Sequence, residues 1–385
     1  MKKILVINTG YRIFGGEDTN IVDELDLLKQ SYKIEYLEFK NSDKLNFQDF
    51  ISFITSNNKK SNKSLQKIIN DFKPDVAYVH NTWFKGNLGI FELLKNEGIN
   101  TIHKIHNFRY DCTKSIKTSN HLSGNDTCFK CGLDRKSLGF FNKYYQDSYL
   151  KSFFIYIFGR RYYKILLNNP MKLLVMNIFH KEYLVNLGID SSKIGIYYNP
   201  INISKENSKG YNSSSNTVVY AGRLTESKGV EELIETWKKA DTKGLKLVLI
   251  GEGNMENYLR NKYVSDEIHF TGLLTNDESK DYIQRSRAVI TSTKLYEGQP
   301  RILSEASSYG VPSIFPSFSG MEEYFPEDYE FSFEQFNYAE LKEKIELLKD
   351  KEKLDHTSKE VFDHLYEMIN KDKLLLDFNR LIKET

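Results

Sequence analysis

Two cations, Arg223 and Lys228, stand in the stretch Tyr220-Ala221-Gly222-Arg223-Leu224-Thr225-Glu226-Ser227-Lys228-Gly229-Val230. An apolar run leads into a glycine turn there, and a helical pattern follows. Arginine grips phosphate oxygens with a planar fork, lysine adds a mobile point charge, and a helix N-terminus adds backbone donors of the same polarity. The guest that suits such a turn is a diphosphate; the plain alternative is an exposed loop. A second stretch, Glu297-Gly298-Gln299-Pro300-Arg301-Ile302-Leu303-Ser304-Glu305, also follows an apolar run. Gly298 and Pro300 suit a turn that opens a helix. Glu305 falls about two turns beyond Glu297, so both carboxylates can face one crevice. There they can accept paired hydrogen bonds from sugar hydroxyls, while free turn amides approach a phosphate. Two carboxylates on a solvated helix surface are the bland reading.

Two further motifs compete with these. Gly251-Glu252-Gly253-Asn254-Met255-Glu256 starts like a dinucleotide fingerprint but has no third glycine, so a nicotinamide cofactor is not expected. Cys128-Phe129-Lys130-Cys131 with Cys112 offers three thiols, which His103, His106 or His121 could complete as a zinc site. Reduced thiols packed in a loop are the simpler expectation. Three cysteines in 385 residues cannot form a disulfide framework, which points to a reducing compartment.

These residues need elements to position them. The chain alternates short apolar runs with longer amphipathic stretches, the pattern of parallel sheets flanked by helices. Ile4–Ile7 precedes a turn at Gly15-Gly16 and a helical stripe over Asp18–Leu28. Val76–Val79 ends at His80, Thr101–Ile105 ends at His106-Asn107, and Leu173–Met176 follows. From Asn199-Pro200 to Asn216 the texture turns to Ser, Asn, Lys and Gly, a linker composition. A second series then runs through Thr217–Tyr220, Leu245–Ile250, Ile268–Thr271, Ala288–Thr291 and Pro312–Phe315. The predicted class is α/β, with two Rossmann-like domains facing a central cleft. Residues 1–200 form the first domain and 217–355 the second. A helical tail, 356–385, is expected to pack back towards the first. In such sheets ligands sit beyond the carboxyl ends of the strands.

At 385 residues the chain is long enough for two or three domains. A hydrophobic share of 40% and a charged share of 28% exclude bulk disorder. The run after Met1-Lys2-Lys3 stops at Asn8, too short for a signal peptide. No run approaches the roughly 18 apolar residues that span a membrane. A soluble, cytoplasmic protein is expected. The net charge of +2 conceals +10 over residues 1–200 and −8 over 201–385, so the front half should face something anionic. Between residues 148 and 181 there are six Lys or Arg and no acidic residue, within an aromatic stretch that contains Arg160, Arg161 and Lys164. That suits an anionic membrane surface. Nucleic acid is not expected, since no binding module is present and the cationic excess is modest.

Taken together, the motifs resemble the retaining glycosyltransferases of family 4, with GT-B architecture. Gly15-Gly16-Glu17-Asp18 is similar to that family's N-terminal glycine loop, and His106-Asn107-Phe108-Arg109 to its histidine loop. Asn199-Pro200 resembles the exit into the linker. Gly222-Arg223 with Lys228-Gly229 matches the phosphate turn, and Glu297 to Glu305 the paired-glutamate motif with seven intervening residues. Val248–Gly253 and Phe270-Thr271-Gly272 also fit.

The resemblance implies a role for each residue. Arg223 and Lys228 would neutralise the departing nucleoside diphosphate, and Glu297 would bind hydroxyls of the donor sugar, with the amide of Gln299 nearby. Glu305 would hold the ribose. Gly15 and Gly16 would admit the diphosphate closely, and His106 would line the donor-sugar and acceptor side. Gly222, Gly298 and Pro300 belong to the donor-binding turns. Gln299 stands where the family often carries an apolar residue, so sugar preference cannot be carried over. No Asp-x-Asp triplet occurs, and two cations with helix termini can do a metal's electrostatic work, so metal-independent, retaining transfer without a cofactor is expected. The partners would be a nucleotide-sugar donor and a glycan or lipid-linked acceptor of a capsule, O-antigen or exopolysaccharide, met at the inner face of the cytoplasmic membrane. A nucleotide-sugar epimerase of the same architecture and a non-catalytic binding subunit are the alternatives.

Overall fold

Ile4, Leu5, Val6 and Ile7 are all at most 1% exposed, as a strand covered on both faces must be. In the computed structural model they lie in β1 (Lys3–Gly10). The structure describes residues 1–10, 15–41, 47–113, 143, 145, 148–206 and 210–384. With β1, the strands β2 (Lys33–Lys40), β3 (Val76–Val79), β4 (Asn100–Lys104), β5 (Lys172–Val175) and β6 (Ile194–Ile196) form one sheet in the order β2-β1-β3-β4-β5-β6. A second sheet runs β12-β11-β10-β7-β8-β9. It contains β7 (Thr217–Ala221), β8 (Lys246–Ile250), β9 (Ile268–Gly272), β10 (Ala288–Ile290), β11 (Ser313–Ser317) and β12 (Ser332–Glu334). The pairings are parallel throughout. Two Rossmann-like α/β units result, as the alternating pattern predicts.

Each sheet reverses its direction of growth once. The chain adds β2 on one side of β1 and then crosses to place β3 on the other. Likewise β8 and β9 lie on one side of β7, and β10 on the other. Loops leaving the two central strands part at these switch points, opening a crevice for a ligand. In the N-terminal unit the crevice lies beyond β1 and β3, and in the C-terminal unit beyond β7 and β10.

The two units are Met1–Pro200 with Lys371–Thr385, and Ile201–Asn370. The domain limits expected from sequence shift in two places. Residues 210–216 are folded onto the second unit. Tyr211 donates its hydroxyl to the Arg287 carbonyl at 2.8 Å, and Ser215 donates its own to the Arg285 carbonyl at 2.7 Å. The expected boundary at 355 falls inside the helix Lys351–Ile369, whose buried stripe of Leu354, Val361, Phe362, Leu365 and Ile369 has no interruption there. The tail is therefore two helices. The first stays with the C-terminal unit, and the second, Lys371–Leu381, sets Phe378 against Tyr32, Tyr78 and Tyr197 of the N-terminal unit.

An ion pair lies at the centre of the N-terminal unit. Lys104 donates to Glu24 at 3.0 Å, with the side chains 0% and 1% exposed, and the Tyr78 hydroxyl donates to the other carboxylate oxygen. Burial pulls the Lys104 ammonium below its ordinary range, and Glu24 opposes that shift. Removing either partner strands a buried charge, at a cost of about 3–5 kcal/mol.

Candidate functional site

The loops after β7 and β10 are stitched together by short-range chemistry. The Lys294 main-chain N–H donates to the Ser227 carbonyl at 3.0 Å, and Ser292 Oγ donates to the Gly229 carbonyl at 2.7 Å. Gly229 takes φ +66°, and a Cβ there would meet the Ser292 carbonyl oxygen at 2.2 Å, so only glycine allows this approach. After a single 3-10 turn, Glu226–Lys228, the helix Val230–Lys239 begins. The Gly222–Leu224 turn is held in turn by the segment beyond β8. Gly222 N–H donates to Ile250 O at 3.0 Å, and Leu224 N–H to Glu252 O at 2.9 Å. Gly251, at φ +128°, has Gly222 O 2.2 Å from where its Cβ would be. The truncated dinucleotide motif thus buttresses the cation turn.

This folding brings Lys228 to Glu297. The ammonium donates to Glu297 Oε1, which also accepts from Thr293 Oγ1 at 3.2 Å, and the Glu297 main-chain N–H donates to Ser319 Oγ at 3.1 Å. Lys228 is half-buried by this pairing, and Arg223 is exposed. Pro300 caps the helix Arg301–Ser308, so Gly298-Gln299-Pro300 is the turn that opens it. Glu305, 7% exposed, accepts from Arg301 Nε at 2.7 Å. Glu297 and Glu305 therefore each have a cation of their own. Thr293, Ser319 and the Arg301 pairing were missed in the sequence, where nothing but proximity along the chain hinted at Arg301. Gln299, buried, donates its amide to Ser304 Oγ at 3.3 Å.

The N-terminal switch point holds a small pocket lined by Glu17, His80, Asn81, Thr82, Trp83, Lys104, His106, Asn107, Arg109 and Tyr162. His106, half-buried after β4, has its Nε2 3.0 Å from Nδ1 of the buried His80 after β3, so one proton lies between them. Burial, followed by nearby positive and imidazole groups including Lys104, holds both rings well below the ordinary histidine range. His80 was read from sequence only as a strand end. Gly15 is extended and precedes the helix Gly16–Leu28; its N–H donates to Asp18 Oδ2 at 3.0 Å. Asp18 is thereby a cap, while Glu17 lines the pocket. A Cβ on Gly15 would meet nothing within 4 Å. A larger concavity of about 520 Å³ lies elsewhere in this unit, lined by Asn57, Leu88, Glu92, Arg161 and Lys164 among others.

Two expectations are narrowed. His103 has both ring nitrogens occupied, Nδ1 by the Val79 carbonyl at 2.9 Å and Nε2 by the Tyr162 hydroxyl at 2.6 Å, which removes it as a zinc ligand. Cys128, Cys131 and His121 lie outside the described residues. Among the described residues no cluster of three metal-ligating side chains occurs. Arg161 turns inward from the helix Tyr149–Asn168 to donate to Ile54 O and, at 3.0 Å, Ser56 Oγ, leaving Arg160 and Lys164 exposed. No described helix is long and apolar enough to cross a membrane.

Residues 203–361, which include Arg223, Lys228, Glu297 and Glu305, match the model of the family described as Glycosyl transferases group 1. Among curated proteins, the amylovoran biosynthesis glycosyltransferase AmsD of Erwinia amylovora is 33% identical over 100 residues, 26% of this chain and 28% of that protein. The chain spans about a third of the length of the curated relatives it matches. Among solved structures, Anabaena HepE in complex with UDP-glucose superposes with a TM-score of 0.69 at 12% identity, covering 100% of both chains. The sucrose-phosphate synthase of Thermosynechococcus elongatus gives 0.71 at 13% identity, covering 100% of this chain and 99% of that one. Residues 203–361 of the C-terminal unit are similar to the Glycosyl transferases group 1 family, and the chain as a whole has the two-unit fold of the GT-B glycosyltransferases.

Proposed function

We propose that the chain transfers a sugar, with retention of anomeric configuration, from a nucleoside-diphosphate donor to a hydroxyl of a glycan during surface-polysaccharide assembly. The observation that carries this is the meeting of Lys228 and Glu297 at the switch point of the C-terminal sheet, inside the matched domain. A cation for a phosphate and a carboxylate for sugar hydroxyls stand side by side there. HepE, of the same fold, was solved with UDP-glucose, a donor of this class. The name of AmsD places that relative in amylovoran biosynthesis.

Arg223 and Lys228 neutralise the diphosphate as the bond from the anomeric carbon to the phosphate oxygen breaks. The Gly222 and Gly298-Gln299-Pro300 turns approach the donor, and Glu305 holds the ribose. The acceptor oxygen bonds to the same face of the sugar, and its proton passes to the departing phosphate oxygen. In the N-terminal unit, Gly15 and Gly16 allow close approach to the diphosphate, and His106 lines the donor-sugar and acceptor side. Two cations supply the leaving-group stabilisation that a divalent metal gives elsewhere, so transfer is metal-independent. The acceptor is lipid-linked, and Arg160 and Lys164 help the N-terminal unit meet an anionic membrane.

The test is thermal stabilisation by a panel of nucleotide sugars, followed by product analysis with and without acceptor. A ligand that binds only the folded state raises the melting temperature. Stabilisation by one donor and an acceptor-dependent product with retained configuration are expected, with turnover unchanged in EDTA. Turnover of donor alone to an epimer, or loss in EDTA restored by magnesium, would overturn the corresponding part.

A further inference from the structure

Lys228 and Glu297 occupy one another, yet the reading above gives each a different part of the donor. The two side chains are 20% and 22% exposed, so most of each is out of water. Their freedom is unequal. Glu297 is fixed at both ends, its carboxylate by Thr293 Oγ1 and its main-chain N–H by Ser319 Oγ. Lys228 is fixed only at its backbone, where Ser292 and Gly229 clamp the turn, and its ammonium rides on a flexible four-carbon stem. A diphosphate that recruits Lys228 must therefore draw the ammonium away from a carboxylate that stays in place. Thr293 alone then remains on the Glu297 oxygen that both groups shared. A nucleotide sugar brings hydroxyl donors that replace the departed ammonium. A nucleoside diphosphate has only its ribose hydroxyls, which the reading above places at Glu305, so it leaves Glu297 half-buried and short of partners beside the added charge of the diphosphate.

We propose that Glu297 separates donor from spent nucleotide through an exchange of ion pairs. Lys228 leaves Glu297 for the diphosphate, a sugar hydroxyl takes its place, and after transfer Lys228 returns to Glu297 as the nucleoside diphosphate is released. This rests on the donor site proposed above and adds the selectivity of that site against its own product.

Calorimetric titration with UDP, GDP, ADP, CDP and dTDP tests it, using the full chain, Glu297→Gln, Lys228→Met and the double variant. Glu297→Gln is expected to bind the preferred nucleoside diphosphate about tenfold more tightly than the wild type. In the Lys228→Met background the same change should give about twofold or less, because contacting residues couple. Unchanged or weaker binding by Glu297→Gln would overturn the exchange. So would a tenfold gain that persists without Lys228, which would indicate charge repulsion alone. Glu297→Ala asks the same question if the amide variant folds poorly. Absence of binding to every nucleotide by the wild type would instead overturn the donor-site reading, a failure visible before any variant is compared.

Discussion

At Gly229 the backbone has a conformation that L side chains rarely adopt, with another carbonyl where a Cβ would stand. The strain of that conformation alone costs about 1–3 kcal/mol for a non-glycine residue, and the clash forces the loops after β7 and β10 apart. Gly229→Ala should therefore lower the melting temperature and weaken nucleotide binding together, because Lys228 is carried on the displaced loop. A variant that melts like the wild type would contradict this account. Arg223 has no such structural duty. Its side chain is exposed, so Arg223→Ala should fold normally while losing turnover by a factor on the order of a hundred, as for one preorganised electrostatic contact. Lys228→Ala should show a similar loss of turnover together with a small loss of stability, since Glu297 is left without its cation. The cations and carboxylates of the proposed site could be singled out in the sequence because residue type and spacing are properties of the chain itself. Ser319 and His80 could not, since each meets a partner that only the sheet order brings near, and Thr293 could not, since the loop conformation that turns its hydroxyl onto Glu297 four residues on leaves no pattern in the sequence.

Among elements, the strands with unbroken apolar runs could be read directly. β1, β3, β5 and β8 are buried nearly throughout, and nothing but a covered parallel strand accounts for such runs. β2, Lys-Ile-Glu-Tyr-Leu-Glu-Phe-Lys, was missed. It is an edge strand with Leu37 as its one buried residue, so charge interrupts its pattern. β6 and β12, three residues each, are also at sheet edges and too short to show a period. The helix Tyr149–Asn168 was found but its faces were not. Ile155, Phe158, Tyr162 and Leu166 pack inward, and Phe158 stacks on Phe53 at 4.7 Å. Adjacent arginines on this helix are expected to behave differently. Arg160→Gln and Lys164→Gln should each weaken binding to anionic vesicles about fivefold, from about 1 kcal/mol per basic residue. Arg161→Gln should instead lower stability, because it releases Ile54 and Ser56. Sedimentation with phosphatidylglycerol vesicles at low and high salt decides between them. Equal losses from all three variants would mean that Arg161 does reach the surface, and no binding at low salt would leave the helix a packing element.

The whole molecule carries its titratable burden unevenly. His80, His103, His106 and His180 all belong to the N-terminal unit, and burial lowers each of them, His103 to about 4 and His180 to about 3. The histidines of the C-terminal unit, His269, His356 and His364, are half-buried or exposed. Above the unfolded value of about 6.5 these rings are neutral in both states, and pH has no effect through them. As pH falls through 6.5 the unfolded chain binds protons that the folded N-terminal unit does not, so its stability declines until the folded values are reached. His103 alone accounts for about 3 kcal/mol across that window, at roughly 1.4 kcal/mol per unit of pKa difference. The chain has two tryptophans, and they report on different units: Trp83 lies in the first and Trp237 in the second. Trp237→Phe leaves Trp83 as the sole indole, and Trp83→Phe leaves Trp237. In acid titrations of these variants the Trp83 emission should change between about pH 6 and 4, ahead of the Trp237 emission. Conversion of these four N-terminal histidines to glutamine, where the fold accepts it, should move the first transition towards that of the second. Coincident transitions in the two single-tryptophan variants would show that the units unfold together and that the histidine cluster does not set the acid limit.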